Sequence, residues 1–370
     1  MKVLITGGAG FIGSFVTDKL LELGHDVRIL DNLDPQVHPS GALPAYINKE
    51  AEFIKGDVRD YNTLEKVLKG ARVVFHFASC VGVSQSQYMI KKYTDVAVGG
   101  TGNLLDIIVN KKNNVKKIIV AASMSSYGEG LYACDTCGTV RPALRSEGQM
   151  KKKQWEPLCP TCGRVVKAAA TDEKQYYQCN SIYGITKKVQ EEMVMHIGRT
   201  YDIPAVSLRF FNVYGPRQAL SNPYTGVCAI FISRIKNNNP PVIYEDGLQT
   251  RDFISVHDIV EANILAMTRK GADFEEFNVG SQNPMSIKKI ADVLIKLYGK
   301  DLKPHITNQY RKGDVRHCFA DIKKINNKLC FKPRVDLRAG MKELIEWSRT
   351  ECAKDGFNKA KSELKRKGLL

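Results

Sequence analysis

The stretch KVLITGGAGFIG, residues 2–13, decides the fold of this 370-residue chain. Its first five residues form an apolar run typical of a buried strand, and three glycines spaced three apart follow directly. Apolar residues then recur at helical spacing as far as Gly24, and a second strand, Val27–Leu30, ends in Asp31. A strand, glycine turn, helix and strand with an acid about 20 residues further on are typical of a dinucleotide-binding unit.

The glycines Gly7, Gly10 and Gly13 each have a physical role in such a unit. One makes the tight turn, one lets the backbone approach a pyrophosphate, and one lets the helix pack closely on the strand. Asp31 can accept hydrogen bonds from ribose hydroxyls and would repel a 2′-phosphate. We therefore expect NAD, and not NADP, as the cofactor. Three glycines also occur in ordinary turns, but the flanking strand and acid favour the cofactor site.

Further short apolar runs alternate with helical patterns, which predicts an α/β fold with a doubly wound parallel sheet of the Rossmann type. The predicted strands are Phe53–Asp57, Val73–Ala78, Ile118–Ala122 and Val206–Phe210. We expect an NAD-binding domain over residues 1–217, interrupted by an insert at 130–172. Residues 218–370 are predicted to form mainly a smaller substrate lobe, with 250–280 returning to the Rossmann domain.

Bulk composition excludes several classes of protein. A hydrophobic content of 43% allows a full core, yet no apolar run is long enough to span a membrane. The N-terminus lacks the features of a secretion signal, so we expect a cytoplasmic protein with no membrane partner. The net charge of +16 would permit nucleic-acid binding, but no aromatic residues interleave the lysine runs. We expect solvated basic surfaces, including a solvated helix after Trp347, and no nucleic-acid partner.

The insert contains two pairs of cysteines, each with two residues between its members. Cys134 and Cys137 form the first pair, and Cys159 and Cys162 form the second. Glycine follows each pair, which permits the tight knuckle of a zinc ribbon, and four thiolates leave no open coordination position. The sequence thus predicts a structural zinc. Unrelated thiols or a redox pair are the alternatives, although neither pair opens a helix of thioredoxin type.

Candidate catalytic residues follow the predicted fifth strand and begin a later helix. Ser123 lies at the carboxyl end of its strand, where ligands bind in such sheets. Tyr183 and Lys187 are four residues apart and therefore share one helix face. Behind a dinucleotide site this pattern indicates proton transfer, in which the lysine charge lowers the tyrosine pKa. His76 lies within an apolar run and is expected to be a hydrogen-bonded core residue.

Other polar residues have expected binding roles. Asp57 ends the third strand and is suited to the adenine end of the cofactor, and the carboxyl end of the fourth strand should line the same crevice. Arg251 and Arg311 are candidates for holding a diphosphate through the guanidinium fork, with surface ion pairs as the alternative for each.

With these residues assembled, the chain resembles the extended short-chain dehydrogenase/reductase family, and within it the nucleotide-sugar 4-epimerases. The resemblance covers nearly the whole chain apart from the insert. It is carried by the glycine turn and Asp31, by Ser123, by Tyr183 with Lys187, and by the segments Arg209–Arg217 and Arg251–Phe253. Finer features, at 34–39, at 221–227 and in the cysteine insert, resemble the epimerases that act on dTDP-L-rhamnose. One departure is Ala97, where relatives often have asparagine.

The resemblance implies an isomerase that inverts carbon 4 of a nucleotide-diphosphate hexose, dTDP-L-rhamnose first and otherwise a UDP-sugar, in a homodimer. Ser123, Tyr183 and Lys187 would be its catalytic residues. The implied cofactor contacts are Gly7, Gly10, Phe11, Ile12, Gly13, Asp31, Asn32, Asp57, Val58, Phe77, Ala78, Tyr183 and Lys187. The implied substrate contacts are Ser125, Asn212, Arg251, Arg311 and Asp314.

Two alternatives remain. The related 4,6-dehydratases carry an acidic pair directly after the residue matching Ser123, and the decarboxylases usually place a glutamate two residues after it. Met124 and Ser125 occupy these positions in this chain, so the carboxylates that dehydration and decarboxylation need are missing there. The alternative from another class is a non-catalytic protein that senses NAD or binds nucleic acid through the ribbon. The joint presence of Ser123, Tyr183 and Lys187 argues against it, because a sensor needs no proton-transfer groups.

Overall fold

A computed structural model describes all of residues 1–370. The strands are β1 (Lys2–Thr6), β2 (Asp26–Asp31), β3 (Glu52–Lys55), β4 (Val73–His76), β5 (Lys117–Ser123), β6 (Leu131–Cys134), β7 (Gly138–Val140), β8 (Lys167–Ala169), β9 (Ala205–Phe210), β10 (Asn212–Tyr214), β11 (Val242–Ile243), β12 (Thr250–Ser255), β13 (Glu275–Val279), β14 (Pro284–Ser286), β15 (His305–Ile306) and β16 (His317–Cys318). The α-helices are α1 (Phe11–Glu22), α2 (Tyr61–Leu68), α3 (Val83–Ser86), α4 (Ile90–Thr94), α5 (Gly100–Asn110), α6 (Glu147–Lys151), α7 (Ile182–Thr200), α8 (Val227–Lys236), α9 (Val256–Thr268), α10 (Ile287–Tyr298), α11 (Lys323–Leu329), α12 (Leu337–Thr350) and α13 (Phe357–Arg366).

The central sheet has seven parallel strands in the order β13-β9-β5-β4-β1-β2-β3. Val3 of β1 pairs with Val27 of β2 on one side and with Val73 of β4 on the other. The strand order reverses beside β1, so the crevice at the carboxyl ends of β1 and β4 is where such sheets bind ligands. The predicted doubly wound α/β fold is confirmed.

Both faces of this sheet are covered by helices, which explains why its strands are almost continuously apolar. On one face Val16 of α1 and Ile259 of α9 belong to the largest buried cluster. On the other face Leu64 of α2, Leu104 of α5 and Val194 of α7 form a second cluster. The two layers hold the strand ends, and hence the site, in fixed positions.

A smaller lobe is built around β12, which pairs with β10 and β16 in parallel and with β14 in antiparallel orientation. Helices α8, α10 and α12 share a third apolar cluster that includes Ile232, Leu294 and Leu344. Strand β13 follows α9 and returns to the edge of the central sheet beside β9.

The cysteine-rich insert folds as a three-stranded antiparallel sheet in the order β7-β6-β8. Its small core contains Tyr132, Cys134, Cys159 and Val166. Strand β6 is followed by the Cys134–Cys137 turn, and the second cysteine pair lies before β8. The insert therefore has its own sheet but a cluster of only five buried apolar residues beneath it.

Two local expectations need correction. The apolar pattern of the sequence predicts a helix from about Val96 to Asn110 before β5, whereas the observed helix begins at Ile90 and passes through one π-helical turn, Asp95–Gly99, before α5. The basic tail is helical in α13 as expected, but one face of it is not solvated, because Ala360 and Leu364 are buried. None of the helices is both long and apolar enough to cross a membrane.

Candidate active site

A cavity of about 610 Å³ opens at the carboxyl ends of the central strands, between the sheet and the smaller lobe. The structure brings all of the predicted cofactor and substrate residues to the wall of this one cavity. They are Gly7, Gly10, Phe11, Ile12, Gly13, Asp31, Asn32, Asp57, Val58, Phe77, Ala78, Ser123, Ser125, Tyr183, Lys187, Asn212, Arg251, Arg311 and Asp314.

Two positions of the glycine turn leave no room for a Cβ atom. Gly7 has a φ of +72°, and a Cβ there would lie 2.9 Å from the backbone nitrogen of Ala78. A Cβ on Gly13 would lie 2.5 Å from the carbonyl oxygen of Gly7. The turn thus packs directly on the end of β4 and on the first turn of α1, which leaves the helix N-terminus open to an anion.

Two acids of the cavity wall lie at strand ends, Asp31 at the end of β2 and Asp57 just after β3. Asp31 accepts hydrogen bonds from the amides of Ala9 and Leu33, at 3.0 and 2.9 Å, and burial raises its pKa. Asp57 pairs with Arg59 at 2.7 Å, and hydrogen bonds from Arg59 lower the pKa of Asp57 to about 2. The Asp31 carboxylate is therefore fixed beside the glycine turn.

The catalytic candidates lie where β5 ends and α7 begins. Ser123 is the last residue of β5, and its hydroxyl accepts from the amide of Ser125 at 3.1 Å. Tyr183 is in the first turn of α7, where its amide donates to the hydroxyl of Ser86 at 3.0 Å. Burial raises the pKa of Tyr183, and its hydrogen bond with Ser123 acts in the opposite direction. The two hydroxyls are therefore neighbours, as a proton-transfer pair requires.

Lys187 follows Tyr183 by one helical turn, on the helix face that the sequence predicted. Its ammonium group donates to the carbonyl of Ala121 at 2.7 Å and to the side chain of Gln190 at 2.9 Å. Burial lowers the pKa of Lys187 to about 7. The helix face is as predicted, but the lysine is directed towards β5.

The two predicted diphosphate arginines come from the smaller lobe. Arg251 donates to the carbonyl oxygens of Arg316 at 3.0 Å and Val315 at 2.5 Å. Arg311 pairs with Asp314 at 2.8 Å and stacks over the ring of Tyr244 at 4.8 Å. Both arginines thus have protein partners while lining the cavity.

Several buried polar atoms against the cavity have no hydrogen-bond partner within the protein. They are Asn212 Oδ1, Gln218 Oε1, Asn222 Nδ2 and Gln249 Oε1. Such groups are costly to bury unpaired, so they point to a polar ligand. Asn212 was predicted. The other three were missed as site residues, although Asn222 lies in the 221–227 segment that carried part of the family resemblance.

The C-terminal helix also contributes to the wall, which the sequence did not predict. Phe357, Ala360, Lys361 and Leu364 of α13 line the cavity. Tyr88 donates to the hydroxyl of Tyr224 at 2.8 Å, and Tyr224 donates to Glu363 of α13 at 2.5 Å. The helix is therefore held beside the cavity by Tyr224, and through Tyr224 by Tyr88. Its basic composition gave no signal for this contact.

His76 is a hydrogen-bonded core residue, as expected. Its ring nitrogens contact the hydroxyls of Thr6 at 2.8 Å and Thr101 at 2.9 Å. Burial lowers the pKa of His76 to about 3. Thr101 also donates to the carbonyl of Ala97 at 2.5 Å. The hydroxyl of Thr101 therefore links the π-helical turn to His76. The carbonyl group that accepts this hydrogen bond belongs to Ala97, the position where relatives often have asparagine.

The four cysteines of the insert lie together, with all their sulfur atoms within 4.8 Å of one another. The Cys134 and Cys162 sulfurs are 3.6 Å apart. Hydrogen bonds from the backbone amides of Cys162 and Thr161 lower the pKa of the Cys159 thiol. Four converging sulfurs, one with amides directed at it, fit a tetrahedral metal ion.

Comparison with known proteins identifies the family. A profile of the NAD dependent epimerase/dehydratase family matches residues 3–146, and one described as GDP-mannose 4,6 dehydratase matches residues 162–344. The dTDP-L-rhamnose 4-epimerase of Burkholderia thailandensis is 32% identical over 352 residues, which cover 94% of each chain. The chain belongs to the NAD-dependent epimerase/dehydratase family. The extended short-chain dehydrogenase/reductase resemblance is thereby confirmed.

Solved structures of this family have the same architecture. The UDP-glucose 4-epimerase of Thermotoga maritima, solved with UDP-glucose, matches with a TM-score of 0.76 and 31% identity over 94% of this chain and 99% of its own. The UDP-glucuronic acid 4-epimerase of Bacillus cereus, solved with UDP-glucuronic acid and NAD, matches with a TM-score of 0.77 and 26% identity over 94% and 99%. NAD is therefore the cofactor type of this family.

Proposed function

We propose that the chain is an NAD-dependent isomerase that reversibly inverts carbon 4 of a nucleotide-diphosphate hexose. dTDP-L-rhamnose is the first candidate substrate and a UDP-sugar the second. The observation that carries the proposal is the meeting of Ser123, Tyr183 and Lys187 beside the glycine turn, in one cavity that Arg251 and Arg311 also line. The relatives and solved neighbours named above are 4-epimerases, which supports the same reaction.

The residues present fit NAD. The glycine turn presses against β4 and leaves the amides at the start of α1 free for a pyrophosphate, and Asp31 lies where the ribose hydroxyls would be held. When bound, NAD supplies a carbon that accepts the hydrogen from carbon 4 of the sugar and returns it. Phe77 and Ala78 at the end of β4, with Val58 and Asp57, would border the remainder of the cofactor.

Tyr183 is proposed to remove the proton of the sugar 4-hydroxyl, and Ser123 to hydrogen-bond the same oxygen. Tyr183 is buried, so its phenolate needs nearby positive charge to form at neutral pH. Lys187 and the positive charge of the oxidised cofactor are proposed to supply that charge. Lys187 would also anchor the nicotinamide ribose.

Inversion further requires the 4-keto sugar to turn over while the nucleotide end stays bound. Arg311, Asp314, Arg251 and Asn212 are proposed to hold the diphosphate and its nucleoside, with Ser125 as a further substrate contact. Asn212 Oδ1 has no partner within the protein, which suits a hydrogen bond to substrate. Strong diphosphate contacts and few sugar contacts are what the mechanism needs.

Dehydration and decarboxylation each need a carboxyl group that exchanges protons with the sugar or with its acid group. The acids of the cavity wall are all engaged by other groups of the protein, which favours epimerisation. Each one already has a partner. Asp31 accepts from backbone amides, Asp34 pairs with Lys92, Asp57 with Arg59, Glu245 with Arg145 and Asp314 with Arg311. The positions after Ser123 carry Met124 and Ser125, which cannot act as acids.

We further propose that the cysteine cluster holds one structural zinc and that the insert, 130–172, interrupts an NAD-binding domain of residues 1–217. Residues 218–370 would form mainly the substrate lobe, with 250–280 returning to the Rossmann domain. The pairing of β13 with β9 supports this return, whereas β12 at the start of the range belongs to the smaller lobe. A homodimer, a cytoplasmic location and the lack of a nucleic-acid partner stay predictions.

The deciding experiment incubates the purified protein with a panel of dTDP- and UDP-sugars, without added reductant, and identifies the product. An epimer that retains a hydrogen label placed at carbon 4 is the expected result. Release of a 4-keto-6-deoxy sugar would make the enzyme a dehydratase, and carbon dioxide from a uronic acid would make it a decarboxylase. Salt-sensitive DNA binding with no turnover would favour the non-catalytic alternative.

A further inference from the structure

The cysteine insert is joined to the smaller lobe by a set of mostly buried acids and arginines with one histidine, which we call the buried ion cluster. Arg145 and Glu156 come from the insert, and Glu129 lies at its N-terminal edge. Glu245, Asp246, Arg316 and His317 come from the smaller lobe.

Arg145 makes the first connection. Its side chain is 1% exposed, and its two terminal nitrogens donate to the two carboxylate oxygens of Glu245, each at 2.9 Å. One of these nitrogens also donates to the carbonyl oxygen of Asp314 at 2.9 Å. This paired geometry fixes direction as well as distance. The insert thereby contacts the backbone of the segment that carries Arg311 and Asp314.

Glu156 makes the second connection. One of its oxygens accepts from Arg316, a fully buried arginine, at 2.5 Å, and the other contacts His317 at 3.0 Å. Although burial opposes ionisation, hydrogen bonds from His317 and Arg316 lower the pKa of Glu156 to about 2. Arg316 is held from the lobe side by Asp246 at 2.7 Å and Glu245 at 3.0 Å.

The segment that makes these contacts, residues 311–317, also lines the cavity through Arg311, Gly313, Asp314 and Val315. Arg251 holds it from the cavity side through the carbonyls of Val315 and Arg316. Arg311 stacks on Tyr244, the neighbour of Glu245. Residues 311–317 are therefore fixed on one side by a predicted diphosphate arginine and on the other by the insert.

Both insert residues lie between Cys137 and Cys159, so a metal ion would tie together the two ends of the stretch that contains them. That stretch has little regular structure apart from β7 and α6 and few buried apolar residues. Metal binding to such a segment is coupled to its folding. Loss of the metal would therefore release Arg145 and Glu156 from their positions.

We propose that the insert positions the nucleotide-binding segment, so that zinc and the nucleotide diphosphate bind with positive coupling. Arg145 and Glu156 are the positioning residues and do not touch the substrate. The inference rests on the proposed function, since residues 311–317 must serve a nucleotide. Coupling between two sites is reciprocal, so the nucleotide must strengthen zinc retention by the same factor by which zinc strengthens nucleotide binding.

The test uses the full-length zinc-loaded protein with UDP and dTDP as probes. Calorimetry measures the affinity for each nucleotide, and a colorimetric chelator measures zinc retention with and without a saturating amount of the nucleotide that binds. We expect the nucleotide to increase zinc retention at equilibrium by roughly 5- to 150-fold, the usual range of such coupling. Protein stripped of zinc should bind the nucleotide more weakly by the same factor.

Glu156→Gln is the informative variant, since it keeps the side-chain shape and removes the charge. We expect it to retain one zinc per chain but to bind the nucleotide more weakly and to lose the coupling. Glu147→Gln is the matched control, because Glu147 lies in the same stretch and pairs only with exposed Lys151. The control should behave as the wild type.

Three results would overturn the inference. If the nucleotide binds but zinc retention does not change, zinc stabilises the insert alone and has no effect on nucleotide binding. A Glu156→Gln protein with full coupling would exclude Glu156 as a positioning residue. If neither nucleotide binds the zinc-loaded wild type, the proposed function fails, and the positioning role fails with it. The wild-type measurements decide the matter even if the variant does not fold.

Discussion

The ammonium nitrogen of Lys187 lies 2.7 Å from the carbonyl oxygen of Ala121. Ala121 belongs to β5, the strand that ends in Ser123, so the lysine on α7 is fixed to the strand that carries the serine. Gln190 accepts a second hydrogen bond from Lys187 and donates to the carbonyl of Ala78 at 3.3 Å. Two strand ends and one helix are thus held together around the proposed proton-transfer site.

Tyr183→Phe tests the proposed base. Removing a general base typically lowers the rate by about 10² to 10⁴, and we expect a loss of at least this size in kcat with near-normal NAD binding. Steady-state kinetics and cofactor titration measure the two effects. Tyr201→Phe, at the exposed end of the same helix, is the control and should keep wild-type turnover. Normal turnover in Tyr183→Phe would exclude the tyrosine as base.

Asp31→Ala tests the cofactor preference. The Asp31 carboxylate is fixed by two amides at the glycine turn, so its removal should weaken NAD binding and relax discrimination against NADP. Fluorescence titration with both cofactors measures the change. Asp26→Ala, at the exposed start of the same strand, should leave both affinities unchanged. A wild-type protein that binds NADP more tightly than NAD would contradict the assignment.

Metal analysis tests the four-cysteine site. Protein purified without chelators should contain one zinc per chain, because four sulfurs converge within 4.8 Å. Cys159→Ser should lose the metal and increase protease sensitivity within the insert. Cys352→Ser changes an exposed cysteine outside the insert and should retain the zinc. Protein that contains no zinc would contradict the prediction.

The buried His76 predicts a pH dependence of stability. Burial lowers the pKa of His76 to about 3, against about 6.5 for an unfolded histidine. The unfolded chain therefore takes up the proton first, and stability falls as the pH falls from about 6.5 towards 3. At pH 5 the loss from this residue is about 2 kcal/mol of unfolding free energy.

Urea unfolding at pH 7 and pH 5 measures this loss. In His76→Gln the decrease in unfolding free energy between the two values should be smaller by about that amount. His196→Gln changes an exposed histidine and should show the wild-type decrease. An unchanged decrease in His76→Gln would mean that His76 is protonated in the folded protein.

The parts of the fold that sequence predicted are those set by local patterns. The turn from Gly7 to Gly13 is defined by its own residues, and the hydrophobic runs predicted six of the seven strands of the central sheet to within a few residues at each end. Strand β13 was not predicted as a strand. The core role of His76 followed from the same apolar patterning. Ser123 could be placed at the cofactor crevice because ligands bind at the carboxyl ends of parallel strands, and the resemblance to the epimerases placed Tyr183 with it.

The parts that were missed depend on partners far apart in the chain. Arg145 and Glu245 are 100 positions apart, and neither lies in a pattern that indicates the other. Tyr224 and Glu363 are 139 positions apart, so the contact of α13 with the cavity was equally invisible. The direction of Lys187 towards Ala121 was missed for a different reason, since helical spacing gives the face of a residue but not its hydrogen-bond partner.

The position of β13 at the edge of the central sheet affects the order in which the chain can fold during synthesis. Its partner β9 ends at Phe210, whereas β13 begins only at Glu275, after α8 and α9. A chain emerging from the ribosome therefore presents β9 with an unpaired edge until β13 has been made. Open strand edges pair readily with other chains. Nascent chains that pause between these two strands would be the species most exposed to aggregation and most in need of a chaperone.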